Sequence, residues 1–249
     1  MRLSFHRKIL AHAALSLLAA GMLSRGADGL GEEELEGQRL AARLRGSPPQ
    51  DEMTLRGRLS IRDAEGTLKD LPFQFKTSIT ASNWLTLYRC SGVAEKELFP
   101  LAVIHTPNRS NTYWEAKSDA PDSWAPLGEK GASTVFAGSD FSITDLGLEF
   151  LHWPGQKLLK VEMRKNRSCH VLESSKPQPL LGEYRRVLSW LDVESGGLIL
   201  AEAYDPNNKL LKEFSVNSMK KVEERWQVQQ MEIRNVQTRS RTRLTFEVK

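Results

Sequence analysis

The sequence is short of the residues that usually announce a reaction. Among its 249 residues there are two cysteines, Cys90 and Cys169. Neither belongs to a second ligand pair at zinc spacing. Cys169 and His170 are adjacent, so on a strand they point to opposite faces. No metal site and no cofactor are expected. Ser139 lies outside any Gly-x-Ser-x-Gly elbow, so no catalytic residue is assigned and an enzyme is not expected. No run of like charge is long enough to track a nucleic acid. No acidic residue precedes Asp28, and the first apolar run falls short of the ~20 residues of a membrane-spanning helix.

The last two absences define the N-terminus. Arg2, Arg7 and Lys8 form a positive stretch ahead of the apolar run Ile9 to Met22, and Ser24-Arg25-Gly26 offers small residues for cleavage before Ala27. The expectation is a cleaved signal peptide over residues 1–26 and export across the inner membrane to the periplasm. No cysteine stands near the cleavage point, so a lipid anchor is not expected. The formal charge of +4 comes from 35 basic and 31 acidic residues. The four basic residues Arg2, Arg7, Lys8 and Arg25 leave with the signal, so the remaining chain is balanced at 31 of each sign. The basic pI therefore says nothing of nucleic acid. In an oxidising compartment Cys90 and Cys169 could pair, a bridge adding ~2–4 kcal/mol. Spacing alone does not fix their distance, so disulfide and free thiols both stay open.

After the signal, residues 27–50 read as a helix and linker. Glu32, Glu33 and Glu34 crowd the first turn of a helix to Leu44, Arg43 and Arg45 sit at its end, and Gly46 with Pro48-Pro49 stops it. From Thr54 the period changes to two. Leu55, Gly57, Leu59 and Ile61 alternate with Arg56, Arg58, Ser60 and Arg62, and Asp63 to Gly66 makes a turn. The same pattern recurs through Leu71 to Ile79, Trp84 to Cys90, Leu101 to Thr106 and Asn111 to Lys117, and a Pro/Gly/Asp-rich loop is expected from Ser118 to Gly131. It resumes at Leu158 and runs to a last strand with Thr242, Leu244, Phe246 and Val248 on one side. Ten or so strands with tight turns predict a mainly β, antiparallel sheet in one domain over residues 51–249, since crossover helices have no room. Amphipathic strands need a cover, and only two helices are available to provide it. The sheet should therefore curve on itself and leave its apolar concave side incompletely filled, a place for a lipid or another greasy ligand.

The second helix begins in "GSDFSITDLGLEFLHWP". Ser142 with Asp145 three residues on is a capping-box pair, Ile143, Leu146 and Phe150 give an apolar stripe, and Pro154-Gly155 closes it. His152 would lie on the same helix as the serines, which is poor geometry for a nucleophile and its base. "FAGSDFSITDL" (Phe136 to Leu146) also resembles the Gly-Ser/Thr-Asp-Phe-Ser/Thr-x-x-Asp-Leu motif of the outer membrane lipoprotein-sorting family, the LolA-like proteins including the treponemal periplasmic type. "CHVLESSKP" from Cys169, the hairpin from Tyr184 to Asp205, "LLKEF", and Trp226 to Val248 resemble later strands of that family in the same order. The resemblance covers roughly residues 50–249. It implies a half-open β-barrel (LolA/LolB-like) covered by a few helices, periplasmic binding of a lipid or acylated lipoprotein, and no enzyme chemistry. It also implies outer membrane biogenesis as the setting, with an inner-membrane transporter and an outer-membrane receptor as partners of a monomer.

The cavity candidates are Leu59, Ile61, Phe73, Phe75, Phe141, Leu146, Phe150, Leu159, Val161, Met163, Leu244 and Phe246. Each could equally be ordinary core beneath the helices. Arg239, Arg241 and Arg243 form a basic stripe, either a docking face for an acidic partner or the charge that protects an edge strand. Six tryptophans are many for this length and suit packing or a membrane-contacting rim. His105, His152 and His170 share no spacing and receive no role. Gly147 either softens the second helix or marks close packing. The alternative to a carrier is a non-enzymatic envelope interaction module with a filled core.

Overall fold

Alternating apolar and polar residues make strands, and strands dominate this chain. The computed structural model describes residues 31–91, 97–117, 120–128, 131, 133–179, 183–222 and 225–248. The expected signal peptide lies outside the described residues. In chain order the strands are β1 (Met53–Arg62), β2 (Leu68–Ile79), β3 (Trp84–Ser91), β4 (Glu97–His105), β5 (Thr112–Lys117) and β6 (Ala120–Pro126). The second set is β7 (Gly155–Arg164), β8 (Arg167–Ser175), β9 (Arg186–Asp192), β10 (Leu198–Tyr204), β11 (Leu210–Val222), β12 (Arg225–Asn235) and β13 (Ser240–Phe246).

These thirteen strands form one curved, open antiparallel sheet with few helices. It is two meanders joined along one seam. β1 to β6 run outward to one edge, β7 to β13 run inward from the other, and β1 pairs with β13, Leu59 opposite Leu244. The chain between β6 and β7 must therefore pass from one edge of the sheet to the other. It does so across the concave face. Phe136, Phe141 and Ile143 pack with Leu59, Phe73 and Phe246 in a first core cluster. Phe150 and Leu151 pack with Leu172 and Val187 in a second. The helix α1 (Glu32–Arg45) buries Leu40 and Ala41 in the second cluster. Gly37 lets it settle on β7, for a Cβ there would stand 2.6 Å from the Lys157 Cα, and Glu33 and Lys157 pair at 2.8 Å.

Two expectations change and two open alternatives are decided. The loop expected from Ser118 to Gly131 contains β6, an edge strand where Pro121 and Pro126 are tolerated because one side of the ladder is free. β13 is central rather than an edge, so its arginines do not protect an exposed ladder. Cys90 and Cys169 are free and buried, Cys90 in the first cluster and Cys169 in a third with Val171 and Trp190. The expected second helix is only one α turn, α2 (Ile143–Leu146), followed by a 3-10 turn at Glu149–His152. Between them Leu148 adopts the left-handed conformation, φ 49°. The reason is tertiary. Tyr88 Oη donates to the Leu146 carbonyl at 2.9 Å and Asn111 Nδ2 to the Gly147 carbonyl at 2.7 Å. Two acceptors that would propagate the helix are thereby taken by side chains from the sheet. Gly147 marks close packing, since a Cβ there would stand 2.3 Å from Tyr113 Oη.

Candidate functional site

The segment that crosses the concave face is fastened by its own motif residues. Asp145 Oδ2 accepts from the Ser142 amide at 2.8 Å, the reciprocal half of a capping box. The same oxygen accepts from Tyr184 Oη at 3.0 Å and faces Lys212 Nζ at 3.4 Å. Lys212 also donates to the Asp140 carbonyl at 2.7 Å and lies 5.3 Å from the centre of the Tyr184 ring. Asp140 reaches the sheet itself, accepting from Thr242 Oγ1 at 2.8 Å on β13. Burial first, then the charge of Asp145, pushes the Tyr184 phenol well above its ordinary range, so it stays a donor. The two aspartates thus tie the cover to β11, β13 and the segment leading into β9. Ser139 Oγ accepts from the Phe141 amide, and Ser142 Oγ lies near Tyr184 Oη. Among the described residues no imidazole is hydrogen-bonded to either serine.

Between this cover and the sheet lies a cavity of about 460 Å³, within the range of roughly 300–1,000 Å³ typical of small-molecule pockets. Its floor comes from β11 and β12 through Phe214, Val216, Val228, Met231 and Ile233, and from Ala201 and Ala203 of β10. Small residues on β10 leave the space that larger ones would fill. The polar side chains that reach it are Tyr88, Asp145, Tyr184, Lys212 and Gln227. Met53, Leu148 and Trp226 line it while remaining 38%, 38% and 58% exposed, so they form its rim.

Phe75, Phe141, Leu146, Phe150, Leu244 and Phe246 come together around this cavity. Leu59, Ile61 and Phe73 instead pack in or against the first core cluster. Leu159, Val161 and Met163 are not brought to it. They are 37%, 55% and 65% exposed on the edge strand β7. A register shift between Leu158 and Lys160 breaks the alternation there, and Leu158 packs toward the second cluster in place of Leu159. Phe214, Val216, Val228, Met231, Ile233 and Tyr184 were missed. Their strands alternate like the others, but sequence does not say which amphipathic strand lies under the cover. Among the described residues no group of three His, Cys, Asp or Glu is placed to hold a metal ion.

A family model described as "-like: Uncharacterized protein" matches residues 122–248. The chain belongs to that family. The match takes in the cover, its motif and β7 to β13, the half of the molecule that holds most of the cavity floor. Among solved structures, a DUF1329 family protein from Desulfovibrio piger superposes with a TM-score of 0.71 at 18% identity, covering 87% of this chain and 92% of that one. A domain assigned to outer membrane lipoprotein sorting from Vibrio parahaemolyticus gives 0.71 at 17% identity, covering 86% and 92%. A LolA superfamily protein from Nitrosomonas europaea gives 0.58 at 15% identity, covering 88% and 93%. The resemblance carried by Phe136 to Leu146 thus holds at the level of the fold, which is LolA-like. No curated protein matches the chain.

Proposed function

We propose that the protein is a periplasmic carrier that holds the acyl chains of a lipid or an acylated lipoprotein between the cover and the sheet. The observation that carries this reading is the cavity of about 460 Å³ walled by Phe75, Phe214, Met231 and Phe246 and rimmed by exposed Trp226. Binding there would draw on ~0.8 kcal/mol per buried methylene and needs no cofactor. Residues 1–26 direct export and are removed, and residues 51–249 act as one domain, as a monomer. An inner-membrane transporter that loads the cavity and an outer-membrane receptor that empties it are the partners this reading requires. No catalytic step is assigned.

One observation favours an envelope interaction module instead. Arg241 is flanked across its two ladders by Arg62 and Arg234, a row of like charge that Glu213 offsets only at the Arg234 end and that an acidic surface could use. Native mass spectrometry of protein purified from the periplasm separates the two. The carrier reading expects co-purifying lipid, lost in Ala203→Trp, which fills the cavity, and retained in Val161→Asp, which alters only the exposed edge strand. Consistently empty wild-type protein that also takes up no fluorescent fatty acid would sink the carrier and leave the module.

A further inference from the structure

A second cavity, of about 240 Å³, abuts the first. Phe75, Tyr88, Leu146 and Leu148 line both, so the two spaces are separated by side chains of the cover and of β2 and β3. Their chemistry differs. The smaller one is lined by Arg45, Thr77, Trp84, Thr86, His105 and His152. Arg45 comes from the end of α1, His105 from β4 and His152 from the 3-10 turn of the cover, three elements far apart in sequence.

The basic groups here face one another rather than acids. Arg45 Nη1 donates to the Leu151 carbonyl at 3.0 Å, and among the described residues it makes no ion pair. His105 stacks on Trp84, ring centres 5.1 Å apart, and its Nε2 lies 3.3 Å from Thr86 Oγ1. Burial, then Arg45, then His105 push the His152 imidazole down to about 4, and burial also lowers His105. At neutral pH the His152 ring is therefore uncharged and carries one N–H. The nearby carboxylate on the cover is Glu149, which accepts from Tyr113 Oη at 2.8 Å and from Asn111 Nδ2 at 3.3 Å. That acid is committed to the sheet. His105 and Thr86 are hydrogen-bonded to each other, which leaves a guanidinium without a carboxylate, the His152 imidazole and the Thr77 hydroxyl as donors around one space. Donors with a cation recognise an anion, and a guanidinium suits the paired oxygens of a phosphate or carboxylate.

We propose that this second cavity binds the anionic head, phosphate or carboxylate, of an amphiphile whose chain occupies the larger cavity. The inference rests on the carrier reading and adds to it a preference for charged amphiphiles. The polar end enters between α1 and the cover, and the chain passes the side chains of Leu146 and Leu148 into the larger space.

Isothermal titration at pH 7.5 with decyl phosphate, 1-decanol and inorganic phosphate tests this. Wild-type protein should bind decyl phosphate roughly ten-fold more tightly than decanol, the scale of one or two hydrogen bonds to a charged group. Arg45→Gln, which removes the charge, should bring that ratio close to one and leave decanol unchanged. His152→Gln, read beside it, should reduce the ratio in the same direction. Equal affinity for the two amphiphiles, or a preference that survives both substitutions, overturns the proposal while leaving the carrier intact. Inorganic phosphate binding as tightly as decyl phosphate, with the same dependence on Arg45, would make this a free-phosphate site and overturn the link between the cavities. Failure of both amphiphiles to bind would remove the carrier reading as well.

Discussion

A hydrogen in place of a methyl at position 147 lets the cover pack against Tyr113. Propensity alone says that alanine should improve a helical glycine by about 1 kcal/mol. Packing says the opposite, since the added methyl would stand 2.3 Å from Tyr113 Oη. That hydroxyl also holds Glu149 at 2.8 Å, so displacing it disturbs a second contact. Gly147→Ala should therefore destabilise the protein by about 1–3 kcal/mol, read as a lower urea midpoint with an unchanged slope. A higher midpoint would mean that Tyr113 yields freely. The His152 ring belongs to the same scale. Its half-burial could not be read from its place in the chain, because α1 and β8, which pack on its turn, lie on either side of it in sequence.

At the scale of elements, the cover is held by polar contacts laid on an apolar bed. Lys212 on β11 serves both the Asp140 carbonyl and Asp145, and its side chain is only 11% exposed. Lys212→Met keeps most of the apolar stem but withdraws the donor from both acceptors. Asp145 keeps Tyr184 and the Ser142 amide, so the cost should be moderate, about 2–3 kcal/mol. Hydrogen exchange should quicken in residues 140–152 ahead of β11 itself. Uniform quickening across the sheet would show that Lys212 supports the core rather than the cover. The capping pair Ser142 and Asp145 was legible from its three-residue spacing. Its further duty to Tyr184 and Lys212 was not, because those partners arrive from later strands.

For the whole molecule, topology matters more than any strand. Joining two meanders at β1 and β13 leaves β6 and β7 as opposite edges, and the chain between them can only cross the hollow. The cavity follows from that crossing. The same order separates Cys90 on β3 from Cys169 on β8 by the seven strands β2, β1, β13, β12, β11, β10 and β9. Both thiols are buried, and burial raises the Cys90 thiol to about 12, leaving it a poor nucleophile for exchange. Dithiothreitol should leave the melting temperature of the purified protein unchanged, and thiol counting after denaturation should find two. A reductant-sensitive transition would contradict the strand order.

The sequence by itself determined the strand-rich class, the inward faces of β1 and β13, the N-terminal helix with its charged ends, and the motif that starts the cover. Those features are local: a period of two, a dipole matched by charge, and a three-residue cap are written in neighbouring residues. The Leu159, Val161 and Met163 face looked equally inward, yet a register shift on an edge strand left it exposed. Only the tertiary structure decided which amphipathic strands lie beneath the cover, where the helix breaks, and that Arg45, His105 and His152 meet. Each of those depends on contacts between residues distant in the chain, and the physical cause is the same throughout: side chains from the sheet take the hydrogen bonds and volume that local preference would have assigned elsewhere.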